Sequence, residues 1–95
     1  MPVQNLLIAQ VLEEIADRLE IQDANPFRVR AYRTAARTIG EYQDDVKELV
    51  ARGETVAGLP GIGADLAGKI REIAQTGTCE ALTRLRREMP SAVTE

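Results

Sequence analysis

Leu59-Pro60-Gly61-Ile62-Gly63 runs without a break into Ala64-Asp65-Leu66-Ala67-Gly68-Lys69-Ile70, and this stretch restricts the fold more than any other. The proline fixes one backbone angle, the two glycines admit positive φ, and the second glycine stands where a helix begins. The spacing predicts a tight hairpin that delivers a helix N-terminus. Such a terminus carries backbone N–H groups without intrahelical partners and the positive end of the helix dipole, so an anionic oxygen, most often a phosphate, suits it. Two other phosphate-binding patterns are excluded. Gly63 to Lys69 has the spacing of a nucleotide-binding P-loop, but Ile70 replaces the hydroxyl that would hold magnesium, no strand precedes the glycines, and Gly68-Lys69 falls within the predicted helix. Leu66 stands where a dinucleotide fingerprint needs its third glycine. Helix, P-G-I-G turn, helix remains, with two readings open: a corner between helices, or an anion-binding hairpin.

The rest of the chain also reads as helix. Asn5 is the predicted cap of a first helix in which Ile8, Leu12, Ile15 and Leu19 recur at spacings of four, three and four. Glu13, Glu14, Asp17 and Glu20 occupy its other positions; nothing else supplies converging ligands, so a solvated acidic face is expected rather than a metal cluster. Asn25-Pro26 predicts the start of a second helix with Tyr32, Ala35, Ala36 and Ile39 on one face and Arg30, Arg33 and Arg37 on the opposite one. The alanine pair implies close approach of another helix. Arg28 projects from the apolar side near Tyr32, which admits either a stem laid along the core edge or a phosphate pocket built with Tyr32.

Gly40 is expected to end or bend this helix. Asp45 with Glu48 resembles a capping box ahead of Val46, Leu49 and Val50, and Gly53 closes that segment. Thr55 to Gly58 is expected to form one further turn. Leu66, Ile70 and Ile73 mark a helix from about Ala64 to Gln75, stopped by Thr76-Gly77. Thr78 is the predicted cap of a last helix with Leu82, Leu85 and Met89 inward and Arg84, Arg86 and Arg87 largely outward, ended by Pro90. The expected architecture is all-α, a compact bundle of about five helical segments, as one domain over 1–90 with 91–95 a linker or truncated tail.

Ninety-five residues, 44% hydrophobic and 3% aromatic, suffice for a single core built from Leu, Ile, Val and Ala. Cys79 is the one cysteine and there is no histidine, so the usual disulfide and zinc frameworks are excluded. With no apolar run long enough to span a bilayer and no signal-peptide pattern, a cytoplasmic location without membrane association is expected. The net charge of −3 opposes strong nonspecific binding to nucleic acid, but its distribution is uneven. Residues 24–42 carry four arginines and one acid, whereas 1–23 carry one arginine and five acids. A polyanion should therefore bind locally, and salt should weaken it.

Asn25-Pro26-Phe27-Arg28-Val29-Arg30-Ala31-Tyr32-Arg33 through Ala36, then Leu59-Pro60-Gly61-Ile62-Gly63 and Gly68-Lys69-Ile70 with Thr76-Gly77, resembles the N-terminal helix-hairpin-helix domain of bacterial family X DNA polymerases. The likeness covers roughly Asn5 to Pro90, with two separated motifs agreeing in order and spacing. It implies an N-terminal piece preceding a polymerase core, binding gapped or nicked DNA on its 5′-phosphate side in base excision repair. It implies hairpin contacts to phosphate around Gly61, Ile62, Gly63 and Ala64, and carbonyls of Ala57, Leu59 and Ile62 that hold a monovalent Na or K ion, with no tightly bound cofactor. Tyr32 and Arg28 match positions at the 5′-phosphate pocket. Lys69 matches the nucleophile of relatives that are 5′-deoxyribose-phosphate lyases, and its azimuth at the margin of the apolar stripe suits partial desolvation. Asp65, Ala57 and Ala81 depart from basic positions of the family, which implies weaker phosphate affinity and feeble or absent lyase activity. A helical protein-interaction domain that uses the hairpin as a corner is the remaining alternative.

Overall fold

In the computed structural model, which describes residues 2–88, Asn25 starts a helix as its sequence requires: its side chain accepts a hydrogen bond from the Phe27 N–H at 2.8 Å, with Pro26 at the first helical position. The helices are α1 (Val3–Ile21), α2 (Pro26–Glu41), α3 (Val46–Ala51), α4 (Ala64–Thr76) and α5 (Glu80–Glu88), with no strand among the described residues. The all-α expectation holds. Met89, Pro90 and the expected tail lie outside the described residues.

The largest helix pair is α1 with α2. Ala16, Ala35 and Ala36 are all buried in it, and an ideal Cβ on Gly40 would sit 3.7 Å from the Ala9 Cβ. Small side chains let the two axes approach, as the alanine pair implied. That approach also explains why Gly40 does not end α2, which continues to Glu41: contact with α1 outweighs the roughly 1 kcal/mol helix cost of a glycine. Leu12, Ile15, Ile39, Val46, Val56, Ile70 and Leu82 are fully buried in one core that joins all five helices and the hairpin.

Three caps differ from expectation or sharpen it. Pro2, not Asn5, precedes α1; Asn5 lies inside the helix and is completely buried. Its amide donates to the carbonyls of Asp44 (2.8 Å) and Tyr42 (3.3 Å) and accepts from the Val46 N–H (2.9 Å), so it secures the start of α3 beside the Asp45 cap. Thr78 does not cap α5. That helix begins at Glu80, whose N–H is taken by the Glu72 carboxylate of α4 at 3.1 Å. At the C-terminus of α4, Gly77 takes the left-handed conformation (φ 89°) that stops the helix, as predicted.

The acidic face of α1 is a set of ion pairs rather than a merely solvated surface. Arg33 of α2 reaches Glu13 (2.7 Å), Glu20 (2.9 Å) and Asp17 (3.1 Å), and these carboxylates, Asp17 foremost, raise its affinity for its proton. Arg86 of α5 grips Glu14 through both carboxylate oxygens, at 2.8 and 3.0 Å, and Arg18 adds a third bond at 2.8 Å. The Arg86 hydrogen bonds outweigh the opposing desolvation and, with the smaller help of the Arg18 bond, hold the Glu14 carboxyl below its ordinary range. A carboxylate lowered by folding contributes stability that is complete above its unfolded value, about 4.3 for glutamate, and is lost as pH falls through the folded value. Glu14→Gln should therefore cost about 0.5–1 kcal/mol at neutral pH. Melting followed by circular dichroism from pH 7 to pH 3 should show the gap between variant and wild type closing on the acid side; a gap constant with pH would mean that the pair contributes packing alone.

Candidate nucleic-acid interface

The hairpin is closed by its own backbone. Leu59 N–H donates to the Val56 carbonyl (3.1 Å), Ile62 N–H to Leu59 (2.9 Å) and Gly58 N–H to Ile62 (3.1 Å). The left-handed positions are Gly58 (φ 99°) and Gly61 (φ 79°). Gly63, expected to share positive φ, is instead extended (φ −88°, ψ −175°), because an N-cap residue takes β-region angles. The Ile62 side chain, 4% exposed, is set into the core and anchors the loop from beneath.

Helix α2 holds the hairpin from the side. Thr38 Oγ1 donates to the Pro60 carbonyl at 2.8 Å, and an ideal Cβ on Gly61 would meet the Thr34 Cγ2 at 2.5 Å. Glycine is therefore required at 61 twice over, for its φ and for this approach. Gly61, Gly63, Ala64 and Asp65 are all exposed. No side chain caps α4, and the N–H groups of its first turn have no intrahelical acceptor. Among the expected contacts, Gly63 and Ala64 thus present backbone donors outward, whereas Ile62 spends its N–H and one acceptor site of its carbonyl within the hairpin.

Lys69 stands one turn into α4 with its Nζ 3.1 Å from each carboxylate oxygen of Asp65, and its side chain is 24% exposed against 88% for that of Asp65. The Asp65 carboxylate thus lies at the same helix end as the outward amides. Arg28 is exposed and lines a cavity of about 200 Å³ with Ile15, Leu19, Ala81 and Arg84. Tyr32 does not line that cavity: it is 3% exposed and belongs to the core, so the structure does not bring it together there with Arg28. No group of His, Cys, Asp or Glu able to hold a metal exists among the described residues, and no described helix is long and apolar enough to cross a membrane.

A sequence model of the helix-hairpin-helix domain matches residues 3–79, which takes in the hairpin and both helices that flank it. The chain belongs to the helix-hairpin-helix domain family. It is 30% identical over 86 residues, 90% of its length, to the DNA polymerase/3'-5' exonuclease PolX of Bacillus subtilis (strain 168), of which those residues span 14%.

In this helix-hairpin-helix domain the carbonyls of Leu59 and Ile62 each accept one hairpin hydrogen bond and keep a second lone pair, while that of Ala57 is in the exposed approach to the turn. Neutral carbonyl oxygens are the donor type that suits a monovalent cation. Sequence reading missed the residues that position the domain's hairpin, Thr34 and Thr38. They lie four apart on α2, one face of a helix, but nothing in a single sequence says what that face meets. It also assigns Asn5 to the start of α1 rather than to α3, although a signal exists: Asn5 lies three residues before Ile8, on the apolar stripe itself.

Proposed function

We propose that the chain is the DNA-binding N-terminal domain of a family X DNA repair polymerase, contacting backbone phosphate and the 5′-phosphate side of gapped or nicked DNA in base excision repair, with a polymerase core in the full-length protein. The observation that carries this reading is the uncapped start of α4, set outward by a hairpin whose shape is fixed by three backbone bonds and by Thr34 and Thr38 of α2. Backbone amides recognise phosphate oxygens and carry no base information, so binding is independent of sequence. Arg28 is an exposed cation for the 5′-phosphate. A Na or K ion held by the carbonyls of Ala57, Leu59 and Ile62 would add positive charge beside the same phosphate.

The engagement of Lys69 by Asp65 favours recognition over lyase chemistry, because Schiff-base formation needs a free amine and both Asp65 carboxylate oxygens engage the Lys69 Nζ at 3.1 Å. Borohydride treatment on a gap bearing a 5′-deoxyribose phosphate should accordingly trap no adduct that depends on Lys69. The direct test is fluorescence anisotropy with a single-nucleotide-gap duplex carrying either a 5′-phosphate or a 5′-hydroxyl. Binding should be several-fold tighter with the phosphate and fall as salt rises; binding insensitive to both would remove the reading. Asp65→Asn takes a negative charge away from the phosphate. It should raise affinity about fivefold at low salt, while losing about 0.3–1 kcal/mol of stability from the helix dipole. Unchanged affinity in that variant would place the bound phosphate away from the start of α4.

A further inference from the structure

Helix α2 carries four arginines, and the structure gives them different employment. Arg33 is consumed by Glu13, Asp17 and Glu20 of α1, and Arg28 faces α5. Arg30 and Arg37 are exposed, and neither has a carboxylate partner among the described residues. Both line a cavity of about 450 Å³ that also includes Thr34. Thr34 is the residue whose methyl abuts Gly61, and Arg37 falls between Thr34 and Thr38, the two residues that hold the hairpin. Arg37 therefore shares its cavity wall with Thr34, the residue that touches the hairpin at Gly61. Arg30 lies two turns further back with its guanidinium over the Phe27 ring, 5.9 Å from the centroid, a contact that restricts its rotamers.

We infer that this ridge of α2, Arg37 then Arg30, carries the DNA backbone onward from the hairpin, so that the strand gripped at Gly63 and Ala64 crosses α2. The inference rests on the proposed DNA binding and adds a path to it. Seven residues of helix span about 10.5 Å, more than the rise of about 3.4 Å per nucleotide along a DNA strand, so the two cations reach different phosphates of one strand. The carboxylates in the same cavity wall are Glu20, which is bound to Arg33, and Asp23; against three arginines they leave the wall positive. Charge here is thus concentrated on a surface physically fixed to the hairpin.

The test compares Arg30→Gln/Arg37→Gln with Lys47→Gln/Arg87→Gln, which removes the same charge from exposed positions outside this cavity wall, using anisotropy on the 5′-phosphorylated gap duplex across 50–200 mM KCl. The α2 pair should lose about tenfold or more at the lowest salt and flatten the slope of log K against log salt by about 1.8, while the control pair changes neither by more than about twofold at that salt. Arg30→Lys/Arg37→Lys should keep the slope, since each lysine still meets phosphate as a point charge. A wild-type slope in the α2 pair, or equal losses in the two glutamine pairs, would overturn the path while leaving the hairpin reading intact. Absence of salt-sensitive binding by wild type would overturn both.

Discussion

Gly61→Ala lowers the stability of the domain by about 2–4 kcal/mol, the sum of a left-handed backbone imposed on a residue with a Cβ and a steric overlap that a packed surface does not absorb. The backbone part comes from φ 79°, and the overlap from the 2.5 Å approach of Thr34 Cγ2 to the added carbon. The two parts separate by a double-mutant cycle. Thr34→Ala removes Cγ2 and leaves Cβ, 3.6 Å from the new atom and in ordinary contact, so the double variant should recover the steric share and keep about 1–2 kcal/mol of backbone strain. Urea melts of the four proteins measure it. Additive losses would mean that α2 and the hairpin do not touch as described. The same substitution should also weaken DNA binding, because a hairpin pushed off α2 no longer aims the amides of Gly63 and Ala64.

Asn5→Ala should be nearly as costly, about 3 kcal/mol. The amide is completely buried and makes three hydrogen bonds, to the carbonyls of Tyr42 and Asp44 and from the N–H of Val46. Alanine leaves those three backbone groups unpaired and a cavity behind. For a domain of this size that corresponds to a melting temperature lower by about 12–24 °C. Asn5→Asp keeps an acceptor for Val46 but turns a second oxygen toward two carbonyls, so it should recover little at pH 7. If Asn5→Ala melts within about 4 °C of wild type, the network is not what joins α1 to the start of α3.

How far the sequence foretells this depends on how local the deciding physics is. Asn25-Pro26, Asp45, Gly53 and Thr76-Gly77 act within a turn of themselves, and each appears where its chemistry puts it. The apolar stripes of α2 and α4 are likewise buried as their periodicity requires. Gly63 moved for a local reason, its N-cap geometry, whereas the assignments of Asn5 and of the α1 carboxylates depend on contacts across long sequence separations. Asn5 has the side chain of a helix cap and is used as one, but for α3, 41 residues away. The carboxylates of α1 find Arg33 and Arg86 only once three helices are assembled, and no spacing within one helix announces partners on another. Tyr32 lies on the helix face that its spacing from Ala35, Ala36 and Ile39 assigns, and that face is core. For the candidate site, Pro60-Gly61-Ile62-Gly63 revealed the hairpin, while its orientation rests on Thr34 and Thr38, which carry no distinguishing pattern.

The most direct measurement is an amide chemical-shift titration of the ¹⁵N-labelled domain with the 5′-phosphorylated gap duplex. Gly61, Gly63 and Ala64 should move first and furthest, with Asp65 following and the amides of α3 unaffected, and the shifts should collapse when salt is raised. Shifts confined to α1 and α5, with the hairpin amides still, would contradict the account.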